Sequence, residues 1–281
     1  MSADLKTSFP PRIHVLLRNR LDQALIIRRG PAKYTGFFSF NFKSGAVSEG
    51  QWLKGRIYER RSDISPDGKH LIYFASNGYF NSKKSLGSWT AISKYPYLRA
   101  IDLWQKGDCW NGGGIFLDDR SYLLNQLYDH KQIRLSGKFQ ITKGKLRNIP
   151  DFGSSECPGV YFPKLLREGW LYLKSAGNSD HFFEKTFGNK WKILKHCTVN
   201  SYKDKKQGTG IYYDINTLYN PDGETMLELV TDFMEIRGKT LFFAREGKIY
   251  YASLKSSKIG TERLVVDMAD YTFKRIPAPY G

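Results

Sequence analysis

Ile64-Ser65-Pro66-Asp67-Gly68-Lys69-His70-Leu71-Ile72-Tyr73-Phe74-Ala75 places a tight turn directly before an aromatic, β-branched run. Proline presets φ for the turn, aspartate tolerates the left-handed region, and glycine supplies a positive φ without steric cost. The residues that follow suit a pleated, half-buried surface. The stretch reads as strand, turn, strand. Asn220-Pro221-Asp222-Gly223-Glu224 repeats the turn, and residues 115–124 offer a relative in which Asp118-Asp119-Arg120 replaces Pro-Asp-Gly. Residues 239–252 read as a hairpin turning at Glu246-Gly247.

Working outward, Phe38-Ser39-Phe40-Asn41-Phe42 alternates with period two, and residues 13–17, 57–58, 170–173 and 249–251 add strand-like segments. No dozen residues carry a capped helical stripe. Short helical turns are expected only at 98–104 and 123–130. With 41% hydrophobic and 15% aromatic residues over 281 positions, a sizeable core is expected and wholesale disorder is not. The fold class is all-β, one domain over 1–281, with exposed polar loops at 77–88 and 201–210. The proline-bearing tail 273–280 should be extended, and could complete the first unit of the fold.

The run 64–75 resembles the Ser-Pro-Asp-Gly-Lys motif of WD-repeat-like β-propeller proteins of the TolB type, in which such a turn joins adjacent strands of a four-stranded blade. The match covers about a dozen residues, and the copy at 220–224 matches in its turn alone. The resemblance implies a single β-propeller-like domain of about five or six irregular blades. Paired β-sandwiches are the alternative.

The chain carries 44 Lys+Arg against 27 Asp+Glu, a formal charge of +17. The excess is uneven: residues 1–150 hold 25 basic and 11 acidic side chains, and residues 151–281 hold 19 and 16. Arg12, Arg18, Arg20, Arg28, Arg29, Arg56, Arg60 and Arg61 all precede residue 62. Arginine's planar fork suits phosphate and carboxylate and stacks on aromatic rings. On a strand, Arg56, Tyr58 and Arg60 would share one face, able to hold phosphates and stack a base. Arg28, Arg29, Arg56, Tyr58, Arg60 and Arg61 are therefore the candidate residues for a protein partner or an anionic one such as nucleic acid. A solvated basic surface is the plainer account.

Several chemistries are not encoded. No apolar run approaches the ~20 residues of a membrane-spanning helix. Residues 1–6 do not form a signal-peptide pattern, and three cysteines, Cys109, Cys157 and Cys197, cannot close a disulfide framework. A cytoplasmic location is expected. The five histidines lack metal-ligand spacing, a zinc site from Cys157, His181 and His196 lacks support, and no metal or cofactor is expected. Gly112-Gly113-Gly114 is followed by a strand rather than by Lys-Ser/Thr and a helix, so it reads as a tight backbone approach instead of a phosphate loop. With Trp104 and Trp110, Gly112 and Gly113 form the candidate wall of any small-ligand site. Asp63, Asp67, Asp102, Asp108, Asp118 and Asp119 are the carboxylates from which a glycosidase pair would be drawn, and none is assigned a catalytic role. The leading expectation is a non-enzymatic module that binds a macromolecular partner on a rigid β-propeller face. An RNA- or DNA-binding protein using the arginine-rich half stands second, and a hydrolase with a central-pocket site third.

Overall fold

A computed structural model describes residues 9–18, 21–30, 33–82, 86–125, 130–142, 159–177, 179–199 and 212–280. The expected loop at 201–210 and Cys157 lie outside them. The chain is nearly all β. The first sheet is an antiparallel meander of β1 (Arg12–Leu17), β2 (Gln23–Arg29), β3 (Tyr34–Asn41) and β4 (Val47–Lys54). The second holds β5 (Arg56–Ile57), β6 (Asp63–Ile64), β7 (His70–Ser76), β8 (Ser88–Lys94) and β9 (Ala100–Gln105). The third is β10 (Gly114–Phe116) and β11 (Ser121–Leu124); β12 (Lys131–Arg134) crosses back to β9, and β13 (Gln140–Thr142) pairs parallel with β11. After helix α1 (Tyr161–Arg167) comes a fourth meander of β14 (Leu171–Ala176), β15 (Asp180–Thr186), β16 (Lys192–Val199), β17 (Tyr212–Tyr219) and β18 (Thr225–Val230). The fifth comprises β19 (Met234–Arg237), β20 (Thr240–Arg245), β21 (Lys248–Lys255), β22 (Lys258–Ile259) and β23 (Arg263–Asp267).

The turn at 65–68 joins β6 to β7 as read from the sequence. Gly68 sits at φ +72°, and Ser65 Oγ donates to Asp67 Oδ1 at 2.6 Å. The Asn220 turn joins β17 to β18, Asp118–Arg120 lies between β10 and β11, and Glu246-Gly247 links β20 to β21. Residues 98–104 are not helical: β9 occupies 100–105, because its β-branched and aromatic side chains pair against β8. In the other expected helical stretch, 123–124 belong to β11 and 126–129 lie outside the described residues.

Strand alternation decides which sheet packs on which. On β2, Ala24 and Ile26 face a cluster shared with Phe242, Ala244 and Met268 of the fifth-sheet region. Leu25 and Ile27 face the other way, onto Ile57, Leu71, Tyr73 and Ala75 of the second sheet. On β7, Ile72 turns from that cluster to Phe116 and Tyr122 of the third sheet. On β20, Leu241 and Phe243 meet Phe183, Trp191 and Ile193 of the fourth. Burying each Leu, Ile, Phe or Met among them contributes roughly 1.5–3 kcal/mol. The first sheet is thus covered on both faces, by the second and by the fifth.

The tail adds no strand. It runs extended along β4 and reaches the second sheet: Phe273 packs 4.7 Å from Tyr34, Gln51 Nε2 donates to Ile276 O, and the Tyr280 hydroxyl donates to Arg99 O. Among the described residues no helix is long and apolar enough to cross a membrane.

Candidate functional site

Two groups of side chains stand out, one buried between the sheets and one exposed at an end of the second sheet. The buried group starts where β5 stops after two residues. Glu59–Arg61 form a 3-10 turn, closed by Arg61 N–H on Tyr58 O and Ser62 N–H on Glu59 O. The turn sends Arg60 inward, where Nη2 lies 2.6 Å from Asp214 Oδ1 and Nη1 donates to Thr198 O. Lys195 Nζ donates to Asp214 Oδ2 at 3.2 Å and to Asn216 Oδ1 at 2.8 Å, and the Tyr161 hydroxyl donates to Asp214. Arg12 grips Asp232 with two donors, Nη2 at 2.8 Å. Arg167 binds both oxygens of Asp63 at 2.7 and 2.9 Å, and Phe116 N–H adds a third bond there. Arg29 lies 3.3 Å from Glu59.

Burial works against these carboxylates, yet their cationic partners win. Arg29 and Arg12 draw buried Glu59 down to about 2, and Arg12 holds Asp232 far below the usual carboxylate range. Asp63 is lowered by Arg167, and Asp214 by Arg60 and Lys195. Burial pushes His14 down to about 4, so it is neutral, and Lys164 down to about 8. Between β1, α1 and β19 lies a cavity of about 70 Å³.

The arrangement meets the hydrolase reading directly. Asp63, Glu168, Asp232 and Glu235 do converge on this cavity. Glycoside hydrolysis needs one carboxyl kept neutral as the acid. Arg167 holds Asp63 as an anion and Arg12 holds Asp232 as one.

The exposed group sits where Arg56, Ser76 and Ser88 are in register across the second sheet. The loops leaving that end carry Tyr79, Phe80, Leu86 and Trp110, which are 64%, 42%, 37% and 72% exposed. Gly87 lies against Phe80 and Gly107 against Leu86, which sets the two loops side by side, and Trp110 N–H donates to Asp108 Oδ1 within the second of them. Beside them the guanidinium groups of Arg56 and Arg61 each stand 4.3 Å from the Tyr58 ring. Arg61 Nη1 donates to Cys109 O and Asn111 O, tying the Trp110 loop to the 3-10 turn. Burial, reinforced by a hydrogen bond to Cys109, pushes Tyr58 up to about 12.

Comparison with known proteins assigns no family. No family model matches the chain, and no curated protein matches it. Among solved structures it is similar to an uncharacterised protein of Listeria monocytogenes EGD-e, with TM-score 0.37, 12% identity, and 97% of this chain and 99% of that one covered. It is also similar to Kuenenia stuttgartiensis hydrazine synthase, with TM-score 0.28, 9% identity, and 90% and 80% covered. At such TM-scores neither likeness decides fold or function.

The sequence-expected residues divide between the two groups. The strand face of Arg56, Tyr58 and Arg60 does not form, because the chain leaves the sheet at Tyr58. Arg60 and Arg61 are 5% and 2% exposed; Arg28 is buried and donates to Met268 O and Gly30 O; Arg29 is half-buried on Glu59. Only Arg56 of the six keeps an exposed cation. The expected ligand wall also separates: Trp104 is buried, its Nε1–H donating to the Tyr122 hydroxyl, whereas Trp110 is exposed. Gly112 and Gly113 are the close approach that the sequence reading favoured. A Cβ on Gly113, at φ +75°, would fall 2.0 Å from Arg61 O. His196 stacks on Phe182 and bonds Asp180 at 2.6 Å, away from buried Cys197. Among the described residues no three His, Cys, Asp or Glu side chains are placed to hold a metal ion.

Sequence reasoning missed α1 and with it Tyr161, Lys164 and Arg167. Pro163 in its first turn and Gly169 after its end were the available signals. Seven residues are too few for a periodic stripe.

Proposed function

We propose that the chain is a non-enzymatic binding module, a single propeller-like unit of five blades whose second blade presents a protein-docking patch. Five successive sheets, with the fifth packing back on the first, support a radial arrangement over paired sandwiches. The observation that carries the function is the exposed group of Tyr79, Phe80, Leu86 and Trp110 beside Arg56. Aromatic residues and arginine dominate the energetic centres of protein interfaces. The free thiols, half-buried Cys109 and buried Cys197, suit a reducing cytoplasm.

Nucleic acid is the second reading, favoured by the Arg56–Tyr58 stack. It is the weaker because Arg28, Arg60 and Arg61 point their donors at internal acceptors instead of phosphates. The test is capture on the tagged full chain with and without nuclease, followed by reconstitution with the purified partner. A nuclease-resistant protein partner, bound about tenfold or more weakly by Trp110→Ala, is expected. Retention abolished by nuclease, or unchanged in Trp110→Ala, would overturn the proposal.

A further inference from the structure

The cavity between β1, α1 and β19 has a property that neither the ion pairs nor the exposed patch requires. Every carboxylate on it has a cationic partner: Asp63 has Arg167, Glu168 has Arg167 and Arg18, Asp232 has Arg12, and Glu235 has Lys185 at 2.9 Å. Lys164 has no such counterpart. Its buried ammonium lines the cavity, donates to Ser62 O, stands 5.9 Å from the Tyr161 ring centroid and enters no ion pair among the described residues, so one hydrogen-bond acceptor serves its three N–H donors. Facing the same space, His14 is 4% exposed and its Nδ1 has no hydrogen-bond partner. A buried ammonium whose neighbouring carboxylates, Asp63 and Glu168, are already engaged by arginines and a buried polar nitrogen without a partner are both costly, and both line one void.

We infer that this cavity is a binding site for a small organic monocarboxylate, held by the Lys164 ammonium and the His14 Nδ1–H. Size and lining choose the class. About 70 Å³ is several times the ~10–15 Å³ that a single buried water needs, and suits a carboxyl group with a short carbon stub. The stub has an apolar wall in Leu165, Trp170 and Met234. The paired carboxylates around the void oppose a dianion such as phosphate, whereas one negative charge balances Lys164. Neutral His14 donates one hydrogen bond without adding charge, and a carboxylate oxygen accepts it. The site is distinct from the exposed patch at Trp110, so either can fail without the other.

Calorimetric titration of the full chain with sodium acetate and sodium propionate, against sodium chloride and sodium phosphate, tests the inference. Saturable binding of the carboxylates beyond the chloride response is expected, weakened about tenfold or more in Lys164→Met. Because the bound anion favours the charged amine, binding near pH 8 should take up protons, read as a heat that depends on the buffer's ionisation enthalpy. Should Lys164→Met not fold, the His14 ring nitrogen resonances of the unmodified chain replace it, and they should shift on titration with propionate but not chloride. A carboxylate response equal to that of chloride, unchanged affinity in a folded Lys164→Met, or His14 resonances that stay put would each overturn it.

Discussion

Arg60 and Arg56 lie one helical turn apart in sequence and at opposite extremes of environment. Arg60 is buried on Asp214, amid Tyr161, Lys195 and Thr198; Arg56 is exposed and rests on Tyr58. The contrast extends to the regions around them. Between the sheets, positive charge is matched by carboxylates and organises the packing. At the end of the second sheet, aromatic surface is left uncovered and the exposed Arg56 stands beside it. An arginine's place in the basic N-terminal run therefore does not report its exposure here. Much of the arginine excess of the first 61 residues is internal wiring.

That contrast can be broken first at Asp214. Asp214→Ala strands Arg60 and Lys195 in the interior and should cost about 3–5 kcal/mol, read by chemical denaturation. Gly113→Ala comes next. Its methyl would collide with Arg61 O in a left-handed backbone, with an expected loss of about 2–4 kcal/mol on the same measurement. Acid attacks the buried side through His14 and Glu59. The unfolded chain protonates histidine near 6.5 while folded His14 does so near 4, so stability should fall as pH drops through that window. Below about 4 the loss should steepen, since Glu59, held near 2, stays ionised in the folded state while unfolded carboxylates take up protons. Melting temperature against pH checks both phases, and a flat profile from pH 7 to 4 would contradict the neutral, buried His14. The smallest effect on stability is expected at the patch, where Trp110→Ala and Arg56→Ala should stay within about 0.5 kcal/mol while partner capture is lost.

Turns and strands were legible in the sequence because their chemistry is local. Pro66-Asp67-Gly68, Asn220–Gly223 and Glu246-Gly247 all turn where their backbone preferences dictate. The internal network was not legible, because its partners come from distant segments: Arg60 meets Asp214 across 154 positions, and Arg12 meets Asp232 across 220. Arg60 carries no local mark that separates a buried, paired guanidinium from an exposed one. Trp104 and Trp110 likewise differ only in what folds over them. For Arg56–Arg61, period-two reasoning failed because a two-residue strand gives way to a 3-10 turn before the alternation can continue.

The two-sided burial of β2 also sets an order of assembly. Leu25 and Ile27 find their cover within the next fifty residues, on β5 and β7, whereas Ala24 and Ile26 wait for Phe242, Ala244 and Met268. Closing contacts across more than two hundred residues is entropically slow, and until it happens one apolar face of the first sheet is open to water. A growing or refolding chain therefore passes through a state in which that face is sticky, which makes the first sheet its point of greatest exposure to aggregation and to chaperones.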